Sequence, residues 1–137
     1  MAVGNTFGAT ALSSYGGFWI SYAIILTPGG FQIIETYTAN GGTTLSTALG
    51  FYLAGWFIFT SMLLFCTLRS TVAFFLLFFF LDLAFLFLMI ANFRPAQALQ
   101  LNTAGGYFGL FAAFMAWYNA LAGIADDRYV NTISSSF

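Results

Sequence analysis

The sequence predicts an all-α fold, a polytopic transmembrane bundle of four helices forming a single domain. Three observations carry that expectation. Of the 137 residues, 61% are hydrophobic and 5% are charged, whereas a soluble domain carries about a quarter charged residues to solvate its surface. The mean hydropathy is +0.90. Four mostly apolar windows, about 4–26, 45–68, 71–91 and 103–124, reach the roughly 20 residues that a bilayer-spanning helix needs.

The first window reads GNTFGATALSSYGGFWISYAIIL. It is not a signal peptide, because it lacks a basic start and is interrupted by hydroxyls and glycines. Gly4 and Gly8 form a GxxxG pair, and Ala11, Tyr15 and Tyr22 continue the same side. Thr6, Thr10, Ser13, Gly17 and Ser21 form a second stripe roughly opposite. In lipid, helices associate where small residues let backbones approach, so little of this helix is expected to be left for lipid. The next segment, TPGGFQIIETYTANGG (27–42), holds Pro, four Gly and Asn and reads as an extramembrane loop.

Between the second and third windows lies only TLRST (67–71), so those helices should be antiparallel neighbours. The third window has no glycine and carries an unbroken Phe/Leu run from Phe74 to Leu81. Most of its circumference is expected to face lipid or a partner subunit. The segment NFRPAQALQLN (92–102), amphipathic and containing Pro95, predicts a short interfacial helix. In the fourth window Gly105, Gly109, Ala112, Ala116, Asn119, Ala120 and Gly123 share one face. Tyr107, Phe111, Phe114, Trp117 and Tyr118 surround the rest. Such a face serves helix packing or the lining of a conduit. Residues 125–137 form a polar tail.

With four spans, both chain ends and the Arg69 turn share one side. That side holds Arg69 and Arg128 and the other holds Arg94, so the positive-inside tendency places the C-terminus in the cytoplasm. The net charge of −1 with no basic patch gives no footing for nucleic acid. The absence of histidine removes histidine-ligated haem, di-iron and zinc sites and any His-based triad. No enzyme activity, cofactor or metal is expected. Cys66 is the single cysteine, so no internal disulfide forms. GGYFG and GATALSSYGG lack the strand–loop–helix setting of phosphate-binding glycine loops, and Asp126 with Asp127 reads as a solvated helix end.

Asp82 stands in the middle of the most apolar window. A mid-membrane carboxylate costs about 2.5–3.5 kcal/mol on the insertion scale, while each Phe or Leu returns about 0.3–0.6. More than a dozen Phe and Leu residues flank it, so the span still inserts. Three roles are open to the carboxyl. It accepts a hydrogen bond from a polar group on another helix, such as Asn119, Asn5 or a tyrosine. Alternatively it relays protons, because burial disfavours the charged form, or it binds a cationic substrate.

GNTFGATALSSYGGFW (4–19), LGFYLAGWFIFT (49–60), TLRS and AGGYFGLFAAFMAWYNALAG (104–123) resemble the acetate uptake transporter family, also known as succinate–acetate permeases, most closely its fungal branch. The resemblance runs from about residue 4 to residue 127. It implies a six-helix fold and a carrier of acetate, other small monocarboxylates and in some members succinate. It also implies proton-coupled or channel-like transport and hexameric rings with a pore through each protomer, here at the plasma membrane. Family members narrow the pore with a phenylalanine, a tyrosine and a leucine. The tyrosine matches Tyr15 in SSYGG, and the leucine matches Leu81 in FFFLD. A small residue that influences substrate size matches Ala116 if one glycine is inserted in AGGYFG. The family's NPAPLG signature and first two helices have no counterpart. The chain is therefore expected to be a fragment, the last four helices of a six-helix protein, without the constriction phenylalanine.

The expected function is thus a permease for acetate-type monocarboxylates, partnered by the bilayer, the acid, protons and copies of itself. A hydrophobic neck at Tyr15 and Leu81 favours small protonated or briefly dehydrated acids over inorganic ions. Asp82, about 100° around the helix from Leu81, lies near that path, either as an interhelical hydrogen-bond acceptor or as a proton relay. The alternative function is a tetraspan scaffold or assembly protein without a conduit.

Overall fold

The computed structural model describes residues 6–39 and 43–124. These residues are all-α, as expected, with five helices: α1 (Thr6–Leu26), α2 (Ile33–Ala39), α3 (Thr43–Cys66), α4 (Val72–Phe93) and α5 (Ala98–Ile124). They fall into two compact units divided between Ala48 and Leu49, within α3.

In the first unit, α1 buries Ala11 and Phe18, and the Phe18 ring stacks on Tyr22 at 5.4 Å. Hydroxyls on the other stripe bond back to their own helix, Ser13 Oγ to the Ala9 carbonyl at 2.6 Å and Ser21 Oγ to the Gly17 carbonyl at 2.8 Å. Such back-bonding satisfies the hydroxyl donor within the helix itself. After Leu26 the chain turns through Pro28 and Gly29, whose φ of +73° is one that glycine adopts without strain. The continuous loop expected over 27–42 is corrected here. Ile33–Ala39 forms α2, with Glu35 accepting from the Gly29 N–H at 3.2 Å. The Pro and Gly breakers sit at the ends of that segment, and the IIETYTA between them contains none.

In the second unit, a 3₁₀ turn over Thr67–Arg69 reverses the chain. Ser70 N–H donates to the Thr67 carbonyl at 2.9 Å. The buried Thr67 hydroxyl donates to the Leu64 carbonyl at 2.7 Å. Thr71 caps α4 by accepting from Phe74 N–H at 3.3 Å, satisfying one of the amide donors left over at a helix start. The tight turn predicted from TLRST is present. The interfacial helix predicted over 92–102 is not. α4 continues to Phe93, one 3₁₀ turn spans Pro95–Gln97, and α5 starts at Ala98. Proline lacks an N–H and suits the first turn of a helix, so the interruption is one turn long.

The expectation that most of the circumference of α4 faces lipid or a partner subunit is corrected on the two sides where α3 and α5 cover it. α4 is the inner helix of its unit, with Phe78, Ala84, Phe85 and Ala91 buried. Phe80, Ala84, Phe87 and Leu88 meet α5, while Asp82, Phe85 and Phe93 meet α3. At roughly 100° per residue these two sets lie on opposite sides of α4. The glycines that allow close approach belong to the neighbours rather than to α4. A Cβ on Gly105 of α5 would lie 2.9 Å from Leu88 Cγ and 3.3 Å from the Ala84 carbonyl oxygen. One on Gly50 of α3 would lie 2.7 Å from the Phe93 ring.

Among the described residues three helical stretches are long and apolar enough to cross a membrane: Thr6–Leu26, Leu45–Arg69 and Val72–Phe93. The fourth expected window lies in α5, whose 27 residues give about 40 Å of helix at 1.5 Å per residue. Its Gln100, Asn102, Thr103 and glycines dilute its apolar character. Large apolar side chains point outward on α1, α3 and α5, among them Leu12, Ile20, Phe51, Ile58, Phe65, Phe114 and Trp117. Outward-facing apolar surface of this extent suits hydrocarbon rather than water.

Candidate functional site

The polar centre of the second unit is Asp82. Ser61 Oγ on α3 donates to its carboxylate, 3.0 Å from Oδ1 and 3.2 Å from Oδ2. Ser61 and Asp82 are both half-buried, and aromatic pairs flank them along the α3–α4 seam. Trp56 stacks on Phe85 with centroids 6.5 Å apart, and Phe51 meets Phe93 edge-on at 5.3 Å.

Ser61 was missed in the sequence, although a signal for it exists. Helices joined by a tight turn pair in antiparallel order, so residues equally far outward from the turn face each other. Ser61 lies eleven residues after Gly50, and Asp82 lies eleven before Phe93. The Gly50–Phe93 and Ser61–Asp82 contacts therefore belong to one register. Of the expected partners, Asn119 Nδ2 donates instead to the Met115 carbonyl of its own helix at 2.7 Å. Asn5 lies outside the described residues, as do Asp126, Asp127 and the polar tail.

Leu81 is half-buried on α4, on the flank between the side that meets α3 and the side that meets α5. Phe80, one residue earlier, tilts against Phe111 of α5 at 5.6 Å. Phe108 of α5 stacks on Phe87 at 5.4 Å and on Phe80 at 6.3 Å. Ala116 lies one turn beyond Ala112; Ala112 is buried and Ala116 is exposed. In the first unit Tyr15 is half-buried on the side of α1 shared with Ala11, Phe18 and Tyr22, while Thr6, Thr10, Ser13 and Gly17 are exposed on the other side. Among the described residues no three His, Cys, Asp or Glu side chains gather into a metal-binding group.

Apolar helices of spanning length, a tight membrane-type hairpin and one carboxylate held inside it define a multi-pass membrane helix bundle. A model of the GPR1/FUN34/yaaH family matches residues 1–136, and the chain belongs to that family. It is 65% identical over 133 residues to acetate permease A of Emericella nidulans, covering 93% of this chain and 45% of that protein. Over 137 residues it is 56% identical to accumulation of dyads protein 2 of Saccharomyces cerevisiae, covering 100% of this chain and 47% of that one. Similarity extends to the succinate-acetate/proton symporter SatP of Escherichia coli, 32% identical over 130 residues, 95% of this chain and 64% of the relative. The chain thus spans about half the length of the two fungal proteins. No solved structure gives a significant match.

Proposed function

We propose that the chain forms the helices of a permease for acetate and related small monocarboxylates, moved together with protons. The observation that carries this reading is the 65% identity to acetate permease A over 93% of the chain. The bacterial relative, named for succinate, acetate and protons, supports proton linkage and some passage of larger acids. In this reading Tyr15 and Leu81 serve as two side chains of an apolar constriction, and α5 is the fourth span. The protein works as a homo-oligomer, by resemblance a ring of six, in the plasma membrane with its C-terminus in the cytoplasm.

Apolar side chains at a constriction favour an acid that crosses neutral or briefly stripped of water, because inorganic ions lose too much hydration there. An ionised carboxylate facing the path would repel an acid anion. The Ser61 hydroxyl draws the Asp82 carboxylate toward α3, about 100° around α4 from Leu81. That arrangement suits a carboxyl beside the path, as a hydrogen-bond acceptor or a proton relay.

The test is uptake of labelled acetate by cells that lack acetate uptake of their own and express this chain. Saturable uptake severalfold above empty-vector cells is the expected result. Background uptake by a correctly inserted chain would contradict the permease and favour the scaffold reading. Substrate size supplies a finer check on the same cells. Replacing Ala116 with phenylalanine should lower succinate uptake before acetate uptake, and an unchanged ratio of the two would remove Ala116 from the selectivity role.

A further inference from the structure

We propose that Ser61 is a positioning residue that sets the rotational register of α4 against α3. For its consequence at Leu81, the proposal rests on the constriction reading above. Leucine and phenylalanine gain little from one another in lipid, because hydrocarbon tails are equally apolar. The run Phe74–Leu81 presents similar chemistry after a one-residue rotation, so apolar packing alone discriminates weakly between registers.

Two contacts break that degeneracy. The Phe93 ring seats over Gly50, where no Cβ intervenes. Eleven residues away on each helix, the Ser61 hydroxyl reaches both oxygens of Asp82 at 3.0 and 3.2 Å. Eleven residues are close to three full helical turns, so both contacts fall along one stripe of each helix. Rotating α4 by one residue would swing the carboxylate about 100° away from the hydroxyl and leave it in an apolar setting. A polar pair in a largely apolar seam is a well-attested way to fix helix register. Leu81 precedes Asp82 directly, so whatever anchors the carboxylate also sets the direction in which the Leu81 side chain points.

Cysteine mapping in the full-length chain, with Cys66 replaced by serine, tests the assignment. Seam register is read from the rate of cross-linking between Trp56→Cys and Phe85→Cys, against the off-register pair Trp56→Cys and Leu86→Cys. Ser61→Ala should shift the ratio of these rates toward the off-register pair by about threefold to tenfold, the change one interhelical hydrogen bond supports in lipid. Ser61→Thr, which keeps the hydroxyl, should restore the ratio. A ratio indifferent to Ser61→Ala, or left unrestored by Ser61→Thr, overturns the proposal.

A second readout separates the proposal from the reading it rests on. With Ser61 present, a small water-soluble thiol reagent should modify Leu81→Cys faster than Leu83→Cys, and Ser61→Ala should erase that preference. If cross-linking responds as stated but positions 81 and 83 react alike from the start, the constriction reading of Leu81 fails while the register assignment stands.

Discussion

Leucine at Gly105 should force α4 and α5 apart and destabilise the bundle by about 3 kcal/mol, near the upper end of the usual cost of overpacking. A Cβ there already meets Leu88 Cγ at 2.9 Å and the Ala84 carbonyl oxygen at 3.3 Å. Leu88 is a half-buried side chain that a rotamer change can move, but the carbonyl is backbone and moves only if the helix moves. Association in lipid depends on close packing rather than on expulsion from water, so lost contact along this crossing has no hydrophobic compensation. The neighbouring Gly106 has open space around its Cβ position. Gly106→Ala should be neutral or stabilising by up to about 1 kcal/mol through helix propensity. Thermal unfolding of the purified chain in detergent distinguishes them. Equal midpoints for Gly105→Leu and the unmodified protein would mean that α4 and α5 do not pack closely at Gly105.

Truncating Phe85 to alanine should have a comparable effect on the other side of α4. Its side chain is 3% exposed, and its ring stacks on Trp56 of α3. Large-to-small changes at buried phenylalanines cost about 3–5 kcal/mol in water-soluble cores. About 3 kcal/mol is expected here, because the dispersion contacts and the cavity remain when the solvent is lipid. Phe79 is 38% exposed and touches residues of its own helix. Phe79→Ala should therefore stay within about 1 kcal/mol of the unmodified protein. Similar losses at positions 79 and 85 would mean that α4 is not flanked as described.

Much of this was legible in the sequence, for identifiable reasons. The tight reversal at TLRST followed from its length, and the all-α bundle followed from apolar windows that leave too few charges for a soluble surface. Sequence reading failed where the deciding feature lay on another element. The Phe/Leu run of α4 looked lipid-facing because it holds no small residue. Beyond that run, Ala84 and Leu88 lie against Gly105 of α5 and Phe93 lies against Gly50 of α3, close approaches that no pattern within α4 reveals. Asp82 stands out as an anomaly in the sequence, where an interhelical acceptor, a proton relay and a cation site all remain open and the named partners do not include Ser61. Ser61 was overlooked because a serine in an apolar helix is unremarkable until the hairpin register places it opposite a carboxylate. The α2 helix is hidden by the breakers at both ends of its segment, and the amphipathic 92–102 segment with Pro95 suggests a separate interfacial helix where one 3₁₀ turn leads straight into α5.

The proposed permease reading makes these helices a protein-borne route for acetate. Its most direct measurement is the initial rate of labelled acetate entry into liposomes containing the purified chain, against protein-free liposomes, at several acetate concentrations and with the interior more alkaline than the outside. A permease gives entry that saturates with acetate, exceeds the protein-free rate severalfold and falls toward that rate when Leu81 is replaced by tryptophan. Entry that rises linearly with acetate and matches protein-free liposomes, from a chain shown to be folded and inserted, would contradict it.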